Sequence, residues 1–257
     1  MLKEKETENK EYLIPKSLAE VISYNTFCPC KNENSFLIFN SINEIHILIF
    51  FEIGKIVSYN LEEKKIIYEK KVERKEIINL FNHVCCDKKD LILVSFLNNN
   101  KVKIMDFINN EYISEISTLQ NSIIKNIITF FHSNELTIII HCNIGMLVQD
   151  QVDSYNYKSK VLKKIPLNLN TLIIFMKYYY DDNLDMNCIL IGNKTEISIF
   201  NYEDITKIKN YYDYSNQLIN GYHNYNSAFI IEYNNNKRIF SGCGDGAING
   251  IINPSIY

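Results

Sequence analysis

The chain has 257 residues, 46% of them hydrophobic, which is ample for one large core or two small ones. Its formal net charge is −3, from 27 Lys and Arg against 30 Asp and Glu. That balance gives no general attraction to nucleic acid or to an anionic membrane, since both need clustered basic residues. Charge does bunch at Lys3–Lys10 and at Glu62–Glu76, but both signs mix in each bunch, as on a solvated tail and a solvated hairpin.

Residues 1–12, MLKEKETENKEY, are charged and lack an apolar signal region, so a disordered tail is expected there. Residues 13–257 read as one domain. The longest apolar run, Ile45–Phe51, is too short to span a bilayer. Glycine and proline are scarce, at 8 and 4 residues. Asn clusters take over as turn signals, because Asn tolerates the left-handed conformation better than other side chains.

The predicted elements are all strands. Ala19–Phe27 and Ser35–Ile42 come first. Ile45–Phe51, Lys55–Leu61 and Ile66–Lys71 follow, separated by short polar turns, and Ile77–Val84 comes next. Leu91–Phe96, Lys101–Phe107 and Tyr112–Ile116 form the clearest meander, with Asn98–Asn100 and Asn109–Asn110 as its turns. Ile124–Phe131, Leu136–Cys142, Gly145–Gln151 and Lys160–Ile165 give four more strands. Leu172–Tyr179, Asn187–Gly192, Glu196–Tyr202 and Ile205–Tyr211 give another four. Ser227–Tyr233, Arg238–Ser241 and Ala247–Ile252 close the series.

A turn recurs before the third strand of each unit: Gly54-Lys-Ile, Asn100-Lys-Val, Gly145-Met-Leu, Thr195-Glu-Ile and Gly246-Ala-Ile. Gly54 to Gly145 and Gly145 to Gly246 are each about two units of 45–50 residues, the period of a four-stranded β-propeller blade. No helix-length amphipathic segment interrupts the units, which excludes a βαβ fold. An all-β propeller of four-stranded antiparallel blades is expected, with about five units in view.

The units resemble WD40 repeats. KVKIMDF has the pattern of that family's third strand, with Met105-Asp106 where the family has Trp-Asp. Ser198–Tyr202 and Ile56–Leu61 look like degenerate versions, with Asn201 and Asn60 replacing the Asp. Arg238–Ile248 is similar to the family's second strand and its Ser-Gly-x-x-Asp-Gly turn, which marks Gly242 and Gly246. The resemblance covers roughly residues 35–252. The chain departs from the family in having no tryptophan and no Gly-His pair opening a unit, so the family's Asp–His–Ser–Trp network cannot be complete. Ala19–Phe27 is a candidate to supply the fourth strand of the last unit. A narrower similarity, in Asn216–Gly221 and Phe240–Gly246, is to WD-repeat proteins proposed as substrate receptors of cullin-based ubiquitin ligases. The Arg of their Trp-Asp-x-Arg motif is absent from Met105-Asp106-Phe107-Ile108.

Constellations that could carry chemistry read more simply as structure. Ser241–Gly250 has the glycines of a dinucleotide loop, but neither a helix nor a later carboxylate follows. Asp181, Asn183, Asp185 and Asn187 alternate like a calcium loop, yet Met186 and Gly192 stand where Gly and Glu are required. Cys28-Pro-Cys30 and Cys85-Cys86 lack zinc spacing. Seven cysteines without a signal peptide fit reduced thiols in the cytoplasm or nucleus. No metal, cofactor, small-molecule substrate, nucleic acid or membrane is expected.

The resemblance implies a non-enzymatic scaffold that binds protein partners. The alternatives are a structural subunit of a larger assembly whose ring a partner chain completes, or a ubiquitin-ligase substrate receptor. On such a ring, turns between second and third strands share a face with turns between blades. That face would present Asn98, Asn99, Asn100, Asn143, Asn193, Thr195 and Asp245 to a partner. Gly54, Asp106, Gly145, Gly192, Gly242 and Gly246 are the expected structural positions.

Overall fold

In the computed structural model of the protein, the described residues are 36–41, 44–51, 55–71, 78–97, 99–144, 149–167, 172–182, 185–193, 196–212, 225–233, 236–243 and 248–251. They form strands and turns, without a helix. Sheet 1 holds β1 (Phe36–Ser41), β2 (Glu44–Phe51), β3 (Lys55–Asn60) and β4 (Lys65–Lys71). Sheet 2 holds β5 (Ile78–Cys86), β6 (Lys89–Phe96), β7 (Lys101–Asp106) and β8 (Glu111–Ser117). Sheet 3 holds β9 (Ser122–His132), β10 (Glu135–Ile144), β11 (Gln149–Asn156) and β12 (Val161–Ile165). Sheet 4 holds β13 (Phe175–Asp181), β14 (Met186–Gly192), β15 (Glu196–Asn201) and β16 (Lys207–Tyr212). Sheet 5 holds β17 (Tyr225–Tyr233), β18 (Asn236–Cys243) and β19 (Ile248–Ile251). Every sheet is a meander in sequence order. The segment Ala19–Phe27 lies outside the described residues, as do Gly54, Asn98, Gly145, Thr195, Asp245 and Gly246.

Residues 1–78 and 79–257 form two compact units. The first carries sheet 1, with Val57 and Tyr59 buried against Ile47, Leu61 and Ile66. The second carries sheets 2 to 5. Sheets 2 and 3 sandwich a core that includes Leu93, Ile104, Ile124, Leu136, Ile138 and Ile140. Sheets 3 and 4 sandwich another, with Phe130, Ile139, Val152, Met176, Ile189 and Ile191. Successive residues of β10 therefore serve opposite cores: Ile138 and Ile140 face sheet 2, and Ile139 faces sheet 4. This explains why second strands read as unbroken apolar runs. Both faces are covered, so nothing selects alternation. The fourth strands β8 and β12 have mostly exposed side chains and lose that pattern.

Asparagines join neighbouring first strands. Asn79 Nδ2 donates to the Ile124 carbonyl (2.6 Å), and Asn82 Nδ2 to that of Ile127 (3.2 Å). Asn126 Nδ2 donates to the Met176 carbonyl (3.1 Å). A second fastening uses a buried histidine. His141 Nε2 meets Asp150 Oδ1 at 2.9 Å, and the other carboxylate oxygen accepts the Ile173 N–H on the way into sheet 4. His83 and Asp90 pair similarly at 2.8 Å within sheet 2. Buried His141 and half-buried His83 are thus each held by a carboxylate.

The turn after each third strand is built alike in sheets 1 to 4. Asn60, Asp106, Asn156 and Asn201 end β3, β7, β11 and β15, a repeat of about 45–50 residues. Each turns its Oδ1 back onto a following backbone N–H: Glu62 and Glu63, Asn109, Ser159, and Glu203 in turn. Such Asx turns replace backbone capping with a side-chain acceptor. Four residues after each cap the chain is left-handed, at Lys64, Asn110, Lys160 and Ile205, with φ of 55–59°. The other side-chain atom reaches the head of the second strand, and the chemistry there is matched. Asn60 Nδ2 donates to Glu44 Oε2 (2.5 Å) and Asn156 Nδ2 to Glu135 Oε2 (2.8 Å). Where the cap is Asp106, the second strand instead starts with Lys89, whose Nζ lies 4.0 Å from Asp106 Oδ2.

One expectation changes. The third strand of sheet 3 is Gln149–Asn156, not Gly145–Gln151. The repeat is marked by the Asx caps, with Asn156 among them. Gly192 is structural through its cross-strand partner: it sits opposite Phe175, and a Cβ at Gly192 would run into that ring.

Candidate functional site

In an antiparallel meander, the first-to-second and third-to-fourth turns lie at one end of the sheet. The second-to-third turns lie at the other. Of the expected recognition residues that the structure describes, Asn99, Asn100, Asn143 and Asn193 belong to the second-to-third end, and Asn100 and Asn193 spend their side chains on the fold. Asn100 Nδ2 donates to the Thr118 carbonyl (2.8 Å), and the Asn100 carbonyl accepts both Thr118 N–H and Oγ1 (2.8 Å each). Asn193 is 3% exposed. Its Oδ1 accepts the Glu196 N–H (2.9 Å), and its Nδ2 lies 3.3 Å from Glu196 Oε1. Asn99 donates its N–H to the Phe96 carbonyl at 3.2 Å. Asn143 is a half-buried ladder residue of β10, opposite Asp150. Gly242 lies within β18.

The larger recess lies at the opposite end, between sheets 3 and 4. It is a groove of about 730 Å³, lined by His132 and Ser133 at the β9–β10 turn, by Thr137, Ser154 and Asn156, by β12 and Pro166, and by Tyr202, Glu203 and Ile205 from the β15–β16 turn. Strand register explains the lining. Ser154 pairs with Lys163 and Asn156 with Val161, and directly opposed residues share a face. The face of sheet 3 that is apolar deeper down, at Ile139 and Val152, therefore becomes polar as it nears this end.

The groove's polar groups are oriented by their neighbours. Tyr178 Oη donates to Asn187 Oδ1 (2.9 Å), and Asn187 Nδ2 sits 3.1 Å from His132 Nδ1. Because Asn187 Nδ2 can only donate, Nδ1 is the acceptor and the neutral ring carries its proton on Nε2. Ser154 Oγ and Tyr202 Oη are 2.8 Å apart across the two sheets. Tyr202 also meets Phe130 and His132 edge-on, while Phe130 stacks on Tyr178 at 4.3 Å. Lys163 is exposed and has no ion-pair partner among the described residues. Lys164 stands opposite buried Asp153, whose carboxyl is pushed up by burial against the opposing pull of Gln151 and Lys164. Ile205 is a β-branched residue at φ 58°, where the equivalent turns carry Lys or Asn. That conformation costs of order 1 kcal/mol or more.

A smaller recess of about 340 Å³ lies at the same end between sheets 2 and 3, lined by Cys86, Asp87, Glu135, Tyr157, Lys158 and Lys160 among others. Its lysines are engaged: Lys160 Nζ lies 3.7 Å from the Tyr157 ring centre, and Lys158 pairs with Glu135 at 3.1 Å. No group of three or more His, Cys, Asp or Glu side chains among the described residues is arranged to hold a metal ion. Cys85, Cys86, Cys142 and Cys188 are free thiols, with Cys85 exposed. Asp181 ends β13 opposite Met186 of β14, and Asn187 serves the His132 network.

The sequence did not single out this groove. Its components are scattered single residues, and only the Asx caps beside it carry a repeat signal.

No protein-family model matches the sequence, and no curated protein sequence does. Solved structures do match. BBS1N, crystallised in complex with ARL6DN, is similar at a TM-score of 0.64 and 13% identity, over 86% of this chain and 62% of that one. A second crystal of the same complex gives 0.62 and 12%, over 86% and 61%. Sqt1 from Saccharomyces cerevisiae gives 0.60 and 10%, over 88% and 57%. This chain thus spans about three fifths of the length of each neighbour. At these identities the similarity concerns the fold: the protein is an all-β chain, with four four-stranded antiparallel sheets and a fifth of three strands among the described residues, of the β-propeller class.

Proposed function

We propose that this chain is a non-enzymatic scaffold for protein–protein interaction, and that it recognises its partner at the groove between sheets 3 and 4. The observation that carries this reading is the contrast between its two ends. At the second-to-third end, Asn100 and Asn193 use their amides to build their own turns. At the other end, a recess of peptide-holding size gathers hydroxyls, an imidazole oriented by its neighbours, and an exposed lysine with no ion-pair partner among the described residues. Recesses of this volume with a few oriented polar groups are the usual form of a binding site. The similarity to BBS1N, a propeller crystallised with a protein partner, supports the class of function.

The test compares two variants as baits in a native extract. One carries His132→Ala and Lys163→Ala in the groove, and the other carries Asn99→Ala and Asn143→Ala at the opposite end. Loss of the same discrete partners from the groove variant alone is expected. Loss from the opposite-end variant alone, with both variants folded, would move the recognition surface there.

A further inference from the structure

Resting on the reading of the groove as a recognition surface, we propose that its ligand is an extended peptide bearing a phosphorylated serine or threonine. The chemistry comes from the donors that converge there. Lys163 projects on the same face as Ser154, its directly opposed neighbour on β11. Ser154 and Tyr202 share one hydrogen bond between two hydroxyls. Each hydroxyl carries one proton, so whichever donates, the other proton remains to be given. His132 receives Asn187 on Nδ1 and keeps its Nε2 proton to donate.

A lysine, an imidazole N–H and a hydroxyl proton suit the three acceptor oxygens of a phosphate monoester better than a neutral side chain. Glu203 is the single carboxylate in the lining, and it is exposed at the rim of the β15–β16 turn. Against it stands Lys163 on the groove face, while Lys164 is directed by register toward Asp153, so Lys163 is the cation available to an anion there. The apolar part of the lining, Val161, Ile165, Pro166 and Ile205, provides a bed for flanking residues of a peptide and would add nothing for free phosphate. Ile205 reaches that bed from a left-handed backbone position that Lys or Asn occupies in the other sheets.

The probe is a fluorescent library of ten-residue peptides with a fixed central phosphoserine, compared with libraries fixed as serine and as glutamate. Fluorescence anisotropy with the full chain should show the phosphoserine library binding about tenfold or more tightly than the serine library, as a charge-assisted set of hydrogen bonds implies. Lys163→Ala should remove most of that preference. It is an exposed substitution on an outer strand, and Ser154→Ala supplies a second, nearly isosteric test. Equal binding of phosphoserine and serine libraries, with amide protection at 132–137 and 154–166, would overturn the phosphate claim and leave the groove as a peptide site. Phosphoserine-dependent binding that survives both substitutions would place the anion elsewhere and overturn the proposal. Failure of all three libraries to bind would also overturn it, while partner capture by the groove would still stand on its own test. Inorganic phosphate competing as well as the peptide library would show that no peptide is required.

Discussion

Asp106 allows the cap mechanism to be tested quantitatively. The carboxylate is buried at the end of β7 and accepts the Asn109 N–H (3.1 Å) and Asn109 Nδ2 (2.9 Å), with Lys89 Nζ at 4.0 Å. Burial pushes its pKa up, but the Asn109 and Ile108 backbone donors, the Asn109 side chain and Lys89 outweigh this and hold it below 3.8. Asp106→Ala removes two hydrogen bonds to a charged acceptor and should cost about 2–3 kcal/mol. Lys89 is 58% exposed on its side chain, so its share is below about 1 kcal/mol. Asp106→Asn keeps Oδ1 for the Asn109 N–H and should cost about 1 kcal/mol, since its new amide group faces Lys89 rather than an acceptor. Adding Lys89→Glu to Asp106→Asn recreates the Asn–Glu arrangement of sheets 1 and 3 and should recover most of that loss. Urea denaturation of the four proteins gives the values. Because the folded pKa is depressed, the advantage of wild type over Asp106→Asn is present at neutral pH and fades as pH falls through 3.8 and below. The mechanism is refuted if Asp106→Asn is as damaging as Asp106→Ala, or if Lys89→Glu makes the Asn variant worse.

Three further expectations follow from single positions. Gly192→Ala forces a methyl into the Phe175 ring and should destabilise by about 1–3 kcal/mol, whereas Gly192→Ala combined with Phe175→Leu should be milder, both read from thermal denaturation. Ile205→Asn relieves a β-branched residue from φ 58° and should stabilise by about 1 kcal/mol. Asp153 has a folded pKa raised first by burial, so its ionisation opposes folding. Wild-type stability should fall as pH rises from 3.8 through the folded pKa, and Asp153→Asn should flatten the pH profile in that window.

The strand pattern was legible because turns in this chain are marked by Asn, Asp and Lys in place of glycine. The predicted strands of sheets 1, 2 and 4 meet the observed ones within a few residues, and the Asn60, Asp106 and Asn201 caps stand out as the ends of apolar alternations. Sheet 3 was harder because β11 reads QDQVDSYN. Its buried positions include Asp153, and its neighbour-facing ones include Ser154 and Asn156. A polar strand facing a groove looks like a loop, so the apolar-rich Gly145–Gln151 stretch drew the strand assignment instead. Asn100 and Asn193 look like recognition residues in the sequence because turn-building and partner-binding Asn are the same letter. Only their hydrogen bonds show that these amides are spent locally. The groove itself depends on His132, Ser154, Lys163 and Tyr202 meeting across two sheets, a coincidence of register that no local pattern encodes.

The most direct measurement is hydrogen–deuterium exchange on the chain with and without a partner retrieved from native extract. Protection confined to residues 132–137, 154–166 and 202–205 is the predicted result. Protection at 99–100, 143 and 193, with the groove unchanged, would contradict the account and return recognition to the opposite end of the sheets.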